Sequence, residues 1–162
     1  GWWTAMSWSS ASTSEQVRPV DAVAVLPDGS TLGIVVAGGP LGRARGVRAV
    51  PDVLDGDLSE PTALWLGRTP QVHTLGMARP VAVATGVVSA RDGHGRPTAL
   101  RIGGVRQLKP GRLGPWHWSW PVTVELHPEV ARRSGLVGGS EVSLTWPSSW
   151  APGPDGPRRH GG

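Results

Sequence analysis

The stretch Val72-His73-Thr74-Leu75-Gly76-Met77-Ala78-Arg79-Pro80-Val81-Ala82-Val83-Ala84 constrains the fold more than any other. A polar cluster of His, Thr, Met and Arg runs straight into an apolar, β-favouring segment closed by Thr85-Gly86-Val87-Val88. Further along, Val122-Thr123-Val124-Glu125-Leu126-His127-Pro128 behaves in the same way and leads into a short helical pattern and the turn Gly138-Gly139. The two runs read as strands of one small β-rich domain. The His73–Arg79 part reads as strand too, so that His73, Leu75 and Met77 point to one face and Thr74, Gly76 and Ala78 to the other.

The chain of 162 residues is long enough for one domain with ragged ends rather than two. Its 24 Gly and 16 Pro would suggest low complexity if they formed one block, but most fall between short apolar runs, as turns do. Residues 1–16 read as a mobile Trp/Ser-rich leader, 17–146 as the domain, and 147–162 as a disordered Pro/Gly/Arg tail. No signal-peptide pattern, transmembrane run or repeat is visible, which favours a cytoplasmic location.

Cys is absent, so disulfides, iron–sulfur clusters and thiolate zinc sites are excluded. The five His residues include no pair at metal-ligand spacing. There is no phosphate loop and no Gly-x-Ser-x-Gly elbow, so no cofactor is expected. The net charge of +4 is concentrated between Leu41 and Arg112, where eleven Lys and Arg face five Asp and Glu. The basic residues do not cluster as a nucleic-acid patch usually does, which disfavours that partner.

In chain order, Val20–Leu26 and Thr31–Ala37 flank the turn Pro27-Asp28-Gly29-Ser30 as a hairpin. Leu41–Val47 reads as two helical turns with Leu41, Ala44 and Val47 on one face, weakened by Gly42 and Gly46 at about 1 kcal/mol each. Asp52–Pro61 reads as an acidic loop and Thr62–Leu66 as a buried strand. Val81–Ala90 and Thr98–Ile102 form a hairpin across a turn containing Asp92-Gly93, Gly103-Gly104 a turn, and Val105–Leu108 a further strand. Pro128–Gly135 has the charge polarity of a short helix, and Glu141–Trp146 is the final strand. The fold class is therefore mainly β with minor α, a single compact β-barrel-like domain with one or two short helices.

Several of these segments, taken in order, resemble a family. They are Leu41-Gly-Arg-Ala-Arg-Gly-Val47, Val72-His-Thr-Leu-Gly-Met-Ala-Arg-Pro-Val81, Asp92-Gly93, Leu108-Lys-Pro-Gly-Arg112, Val124-Glu-Leu126 and Ala131-Arg-Arg-Ser-Gly-Leu-Val-Gly-Gly-Ser-Glu-Val142. The order resembles the small prokaryotic domain of unknown function number 192 over roughly residues 32–144. The resemblance implies a β-barrel-like domain and no established activity. The chain departs from that pattern in three places: Ala82 stands where the family usually has an acid, Leu75 where it has an aromatic, and Ser140 where it has Asp. Ala82 removes the most obvious carboxylate of a family-wide site.

The candidate binding residues are Arg45, His73, Thr74, Met77, Arg79, Trp116, Trp118 and Glu125. His73 offers a hydrogen bond and Met77 an adaptable apolar floor. Glu125 reads as the outward residue of an alternating strand, with an inward position paired to Arg45 or Arg79 as the alternative. Trp116, Trp118 and Trp120 would share one face of an extended segment, closing a barrel end or stacking on a ligand. The leading expectation is a non-catalytic module that binds an unknown protein or small molecule. The alternatives are a hydrolase-like enzyme using His73 and Glu125, and nucleic-acid binding through the arginines and the Trp116–Trp120 row.

Overall fold

The computed structural model describes residues 20–69, 71–114 and 121–148. Seven strands close into a barrel: β1 (Ala22–Val25), β2 (Thr31–Val36), β3 (Thr62–Gly67), β4 (Val81–Arg91), β5 (Pro97–Leu108), β6 (Val122–Leu126) and β7 (Glu141–Thr145). The order around the barrel is β1-β2-β3-β6-β4-β5-β7, with β7 returning to β1. Closure satisfies backbone groups that an open sheet would leave along its edges. Only β2 and β3 run parallel. A parallel pair needs a crossover, and residues 37–61 supply it as α1 (Gly39–Arg45), a 3-10 turn (Gly46–Ala49) and α2 (Asp52–Asp55).

That crossover divides the apolar residues into two cores. Inside the barrel, Ala22, Ala24, Leu32, Ile34, Ala82, Ala84, Leu100, Ile102, Val124, Leu126 and Leu144 pack together. On the outer face of β2, β3 and β4, the crossover lays Val47, Val50 and Val53 over Val35, Leu64, Leu66, Val81 and Val83, with Val72 alongside. β6 lies between the two layers, and all five of its residues are buried.

The expected strands and both short helices of the sequence reading are present, with several differences. Residues 73–79 are not strand: His73 makes one isolated bridge to Leu113, and a turn follows in which Met77 N–H bonds Thr74 O. Gly76 has φ +75°, and Pro80 lacks the N–H a ladder needs, so the sheet starts only at Val81. Gly103 and Gly104 lie within β5, where the register shifts from Thr85 opposite Gly104 to Gly86 opposite Ile102. They accommodate a bulge rather than a turn, and Val105–Leu108 continues the same strand. The turn carrying Asp92-Gly93 is held as expected, Asp92 Oδ1 accepting from His94 N–H and Arg96 N–H. Leu41 is 74% exposed and Ala44 is exposed, while Val47 is buried. Gly46 ends α1, and the tighter 3-10 turn rotates Val47 off the face that helical periodicity assigned. The acidic segment begins as the short helix α2 rather than as loop. α3 (Pro128–Arg133) starts as its sequence implies, His127 Nδ1 accepting the Glu129 N–H at 3.0 Å.

Among the described residues no helix is long and apolar enough to cross a membrane. The Trp/Ser-rich leader and the tail beyond residue 148 lie outside the described residues.

Leu126 is 1% exposed in the barrel interior. Leu126→Ala is expected to lower unfolding free energy by about 2–5 kcal/mol in urea denaturation. Leu41→Ala, at the exposed face of α1, should change it by less than about 0.5 kcal/mol.

Candidate functional site

The second core opens at one side into a cleft of about 220 Å³. Its walls come from α1 and the 3-10 turn (Arg43, Arg45, Gly46, Val47), from the segment leaving β3 (Arg68, Thr69, Gln71) and from the connection before β4 (His73, Met77). Glu125 of β6 lies at its base.

Glu125 faces away from the barrel interior, as alternation with Val124 and Leu126 predicts, yet it is only 3% exposed. Alternation predicts a solvated residue only where one face of the sheet meets water, and here the crossover covers that face. The expected arginine pairing is also absent: among the described residues neither Arg45 nor Arg79 lies within ion-pair distance of this carboxyl. Its partner is backbone, the Val47 N–H donating to Oε2 at 2.8 Å. Oε1 accepts no hydrogen bond from a described residue.

Gly46 makes this approach possible. Its φ is +54° and its ψ is −141°, a region open essentially to glycine. A Cβ on Gly46 would stand 2.9 Å from Glu125 Oε2 and 3.2 Å from Oε1. The glycine that looks like a defect in a helix is thus the residue that brings the crossover backbone onto the carboxyl. Burial pushes the Glu125 carboxyl up to about 7, against the weaker opposing effect of the Val47 N–H.

The remaining candidates separate. Arg45, His73 and Met77 join Glu125 at the cleft. Thr74 does not line it. Completely buried, its hydroxyl donates to Lys109 O and accepts from Arg112 N–H at 2.8 Å. With Thr74 N–H on Arg112 O and Gly111 N–H on Thr74 O, it pins the 109–114 loop. Arg79 points to α2, pairing with Asp55 at 2.7 Å and donating to Leu54 O. Both groups are mostly exposed, so the pair stabilises little beyond holding the connection near α2. Ala82 lies inside the barrel opposite Leu126, in apolar core. Trp116 and Trp118 lie outside the described residues.

The sequence reading missed Arg43, Arg68, Thr69 and Gln71 as cleft residues. Arg43 and Arg45 fall two apart in one short helix, a spacing that does not itself mark a shared site. Arg68, Thr69 and Gln71 follow a strand without a recognisable motif, and only the parallel β2–β3 pairing carries them beneath α1. Gln71 Nε2 donates to Gly114 O at 2.7 Å, tying this wall to the pinned loop. The Thr69 hydroxyl oxygen is buried with no hydrogen-bond partner among the described residues. Those residues contain no group of three His, Asp or Glu able to hold a metal.

The chain is thus a closed β-barrel with a lateral cleft built around a buried carboxyl. No family model matches it, and no curated protein matches it. Solved structures of similar fold include one from Sinorhizobium meliloti 1021 named as a "putative transcription regulator", at 12% identity and a TM-score of 0.52, covering 77% of this chain and 91% of that one. Another is a protein of unknown function from Novosphingobium aromaticivorans DSM 12444, at 12% identity and a TM-score of 0.48, covering 77% of this chain and 83% of that one. The Sinorhizobium likeness is one of fold and carries no activity to this chain.

Two expectations follow. Gly46→Ala should cost about 1–3 kcal/mol from backbone conformation alone, with the carboxyl contact added to it, read from denaturant midpoints. The raised Glu125 pKa also links stability to pH. The native state holds this proton more tightly than the unfolded chain, so the linked stabilisation is fully present below the ordinary value of 4.5 and is lost as pH rises through about 7. The cost of burying the charge reaches about 3 kcal/mol above that range. Urea titrations should show Glu125→Gln gaining on the native protein by up to that amount between pH 4.5 and pH 8.

Proposed function

We propose that this protein is a small-ligand-binding module, and that it is a divergent member of the domain of unknown function family 192. The family reading rests on the ordered motifs between residues 32 and 144, which a barrel with short helices accommodates. The binding reading rests on one observation: at the base of an open cleft a buried carboxyl keeps one oxygen to which no described residue donates a hydrogen bond. A residue needed only for packing would be cheaper as an apolar side chain, because burying this group costs free energy. The cleft is smaller than the usual pocket for a drug-sized molecule, so its occupant is a compact metabolite or a single side chain of a partner.

A second reading is acid–base catalysis. It is favoured by a carboxyl whose pKa of about 7 suits proton transfer near neutral pH, with His73 on the same cleft. Among the described residues the only hydroxyl of the cleft is that of Thr69, and no base among them is adjacent to activate it as a nucleophile. Binding without turnover therefore remains the leading reading.

A thermal-shift screen of the full chain against metabolites, nucleotides, metals and oligosaccharides tests both. A ligand that binds only the folded state raises the melting temperature, by about 2.7 kcal/mol of added stability at a hundred times its Kd. A hit is expected, and it should vanish in His73→Ala, whose side chain is exposed and whose loss should leave the unliganded protein stable. Ester, phosphodiester or glycoside hydrolysis by the native chain and not by Glu125→Gln would replace the binding reading with the catalytic one.

A further inference from the structure

The charges around the cleft are uneven. Arg43, Arg45 and Arg68 stand on its walls with His73, and Glu125 is its sole acid among the described residues. Among the described residues none of the three guanidinium groups makes a hydrogen bond or ion pair, whereas Arg79, Arg96 and Arg132 each hold a carboxylate. The Thr69 hydroxyl adds a further unused polar group, buried in the same wall. Three arginines lining one hollow make it positive, and a planar or tetrahedral anion is the complement of their guanidinium forks.

Resting on the binding reading above, we propose that the cleft takes a small organic or inorganic anion, a carboxylate or a phosphate, held by Arg43, Arg45 and Arg68 with the Thr69 hydroxyl as an additional donor. Glu125 fits this occupant in its protonated form. Val47 N–H engages Oε2, which leaves Oε1 to carry the proton and donate it in a hydrogen bond to the anion. Every polar group the ligand meets is then a donor. Ionised Glu125 would repel the same ligand, so binding and protonation assist each other.

The other titratable and charged groups near Glu125 are few. His73 is on the cleft. Asp52 and Asp55 belong to α2, which packs against β6, and Asp55 is engaged by Arg79. The β3 and β4 residues opposite Glu125 are Leu64 and Val83. A pH effect that disappears in Glu125→Gln is therefore assigned to Glu125, and one that persists is not.

Isothermal titration calorimetry of the full chain at low chloride decides the matter, with succinate and inorganic phosphate as anions, ribose as a neutral probe and putrescine as a cation. Succinate or phosphate is expected to bind, and which of the two binds tells carboxylate from phosphate. Affinity for succinate should fall about tenfold between pH 6 and pH 8. Arg68→Ala, at an exposed side chain, should weaken binding by about 10- to 100-fold. Glu125→Gln should bind with a flattened pH profile. Anion binding indifferent to Arg43→Ala and Arg68→Ala overturns the proposal. Binding of ribose or putrescine without either anion overturns it too, and leaves the binding-module reading intact. Silence from all four probes overturns the anion proposal, and an empty thermal-shift screen beside it removes the binding reading as well.

Discussion

The hydrogen bond from Val47 N–H to the Glu125 carboxyl joins two parts of the chain 78 residues apart, and the rest of the cleft is arranged around it. It requires glycine at position 46, because both the backbone conformation and the space beside the carboxyl exclude a Cβ. It fixes the end of α1 over β6 and so sets Arg43 and Arg45 above the opening. It also accounts for the two cores: one turn of the crossover is held by a polar contact, while Val47, Val50 and Val53 seal the surface around it. A buried carboxyl bound by backbone rather than by arginine leaves the neighbouring guanidinium groups without a carboxylate among the described residues.

Much of the barrel was legible in the sequence. Strands interrupted by Asp-Gly, Gly-Gly and Pro turns, and the charge polarity of Pro128–Arg133, are local signals, and local physics decides them. The failures share one cause. Glu125 was assigned to a wet face by alternation, Leu41 and Val47 by helical period, and residues 73–79 by continuity with an apolar run. Each rule assumes that an element has one wet face or continues undisturbed. β6 has no wet face, because a crossover required by a parallel strand pair lies on it, and parallel pairing is not visible from any single segment. For residues 73–79, Gly76 and Pro80 were in view, but the bonds that hold the bend come from the distant 109–114 loop.

The candidate site was half legible. His73, Met77, Arg45 and Glu125 were chosen for their chemistry, and the fold gathers them. Thr74 and Arg79 were chosen for proximity in sequence and serve other elements. Thr74 anchors a loop with all its groups satisfied, and Arg79 meets the acid of α2. Arg68 and Thr69 could be placed only by knowing which strands are neighbours.

Closure of the barrel by β1 and β7 has a consequence for how the chain folds. Val23 lies opposite Thr145, 122 positions along the chain, whereas β4 and β5 meet across a turn of a few residues. The loop entropy of joining ends so far apart is lost before any contact returns it, so the long β4–β5 ribbon forms early and the β1–β7 seam last. Until that seam shuts, β1 and β7 each offer an unpaired edge to other chains. The vulnerable state of this protein is therefore the almost finished barrel, and crowded nascent chains would trap it there by exchanging seams with one another.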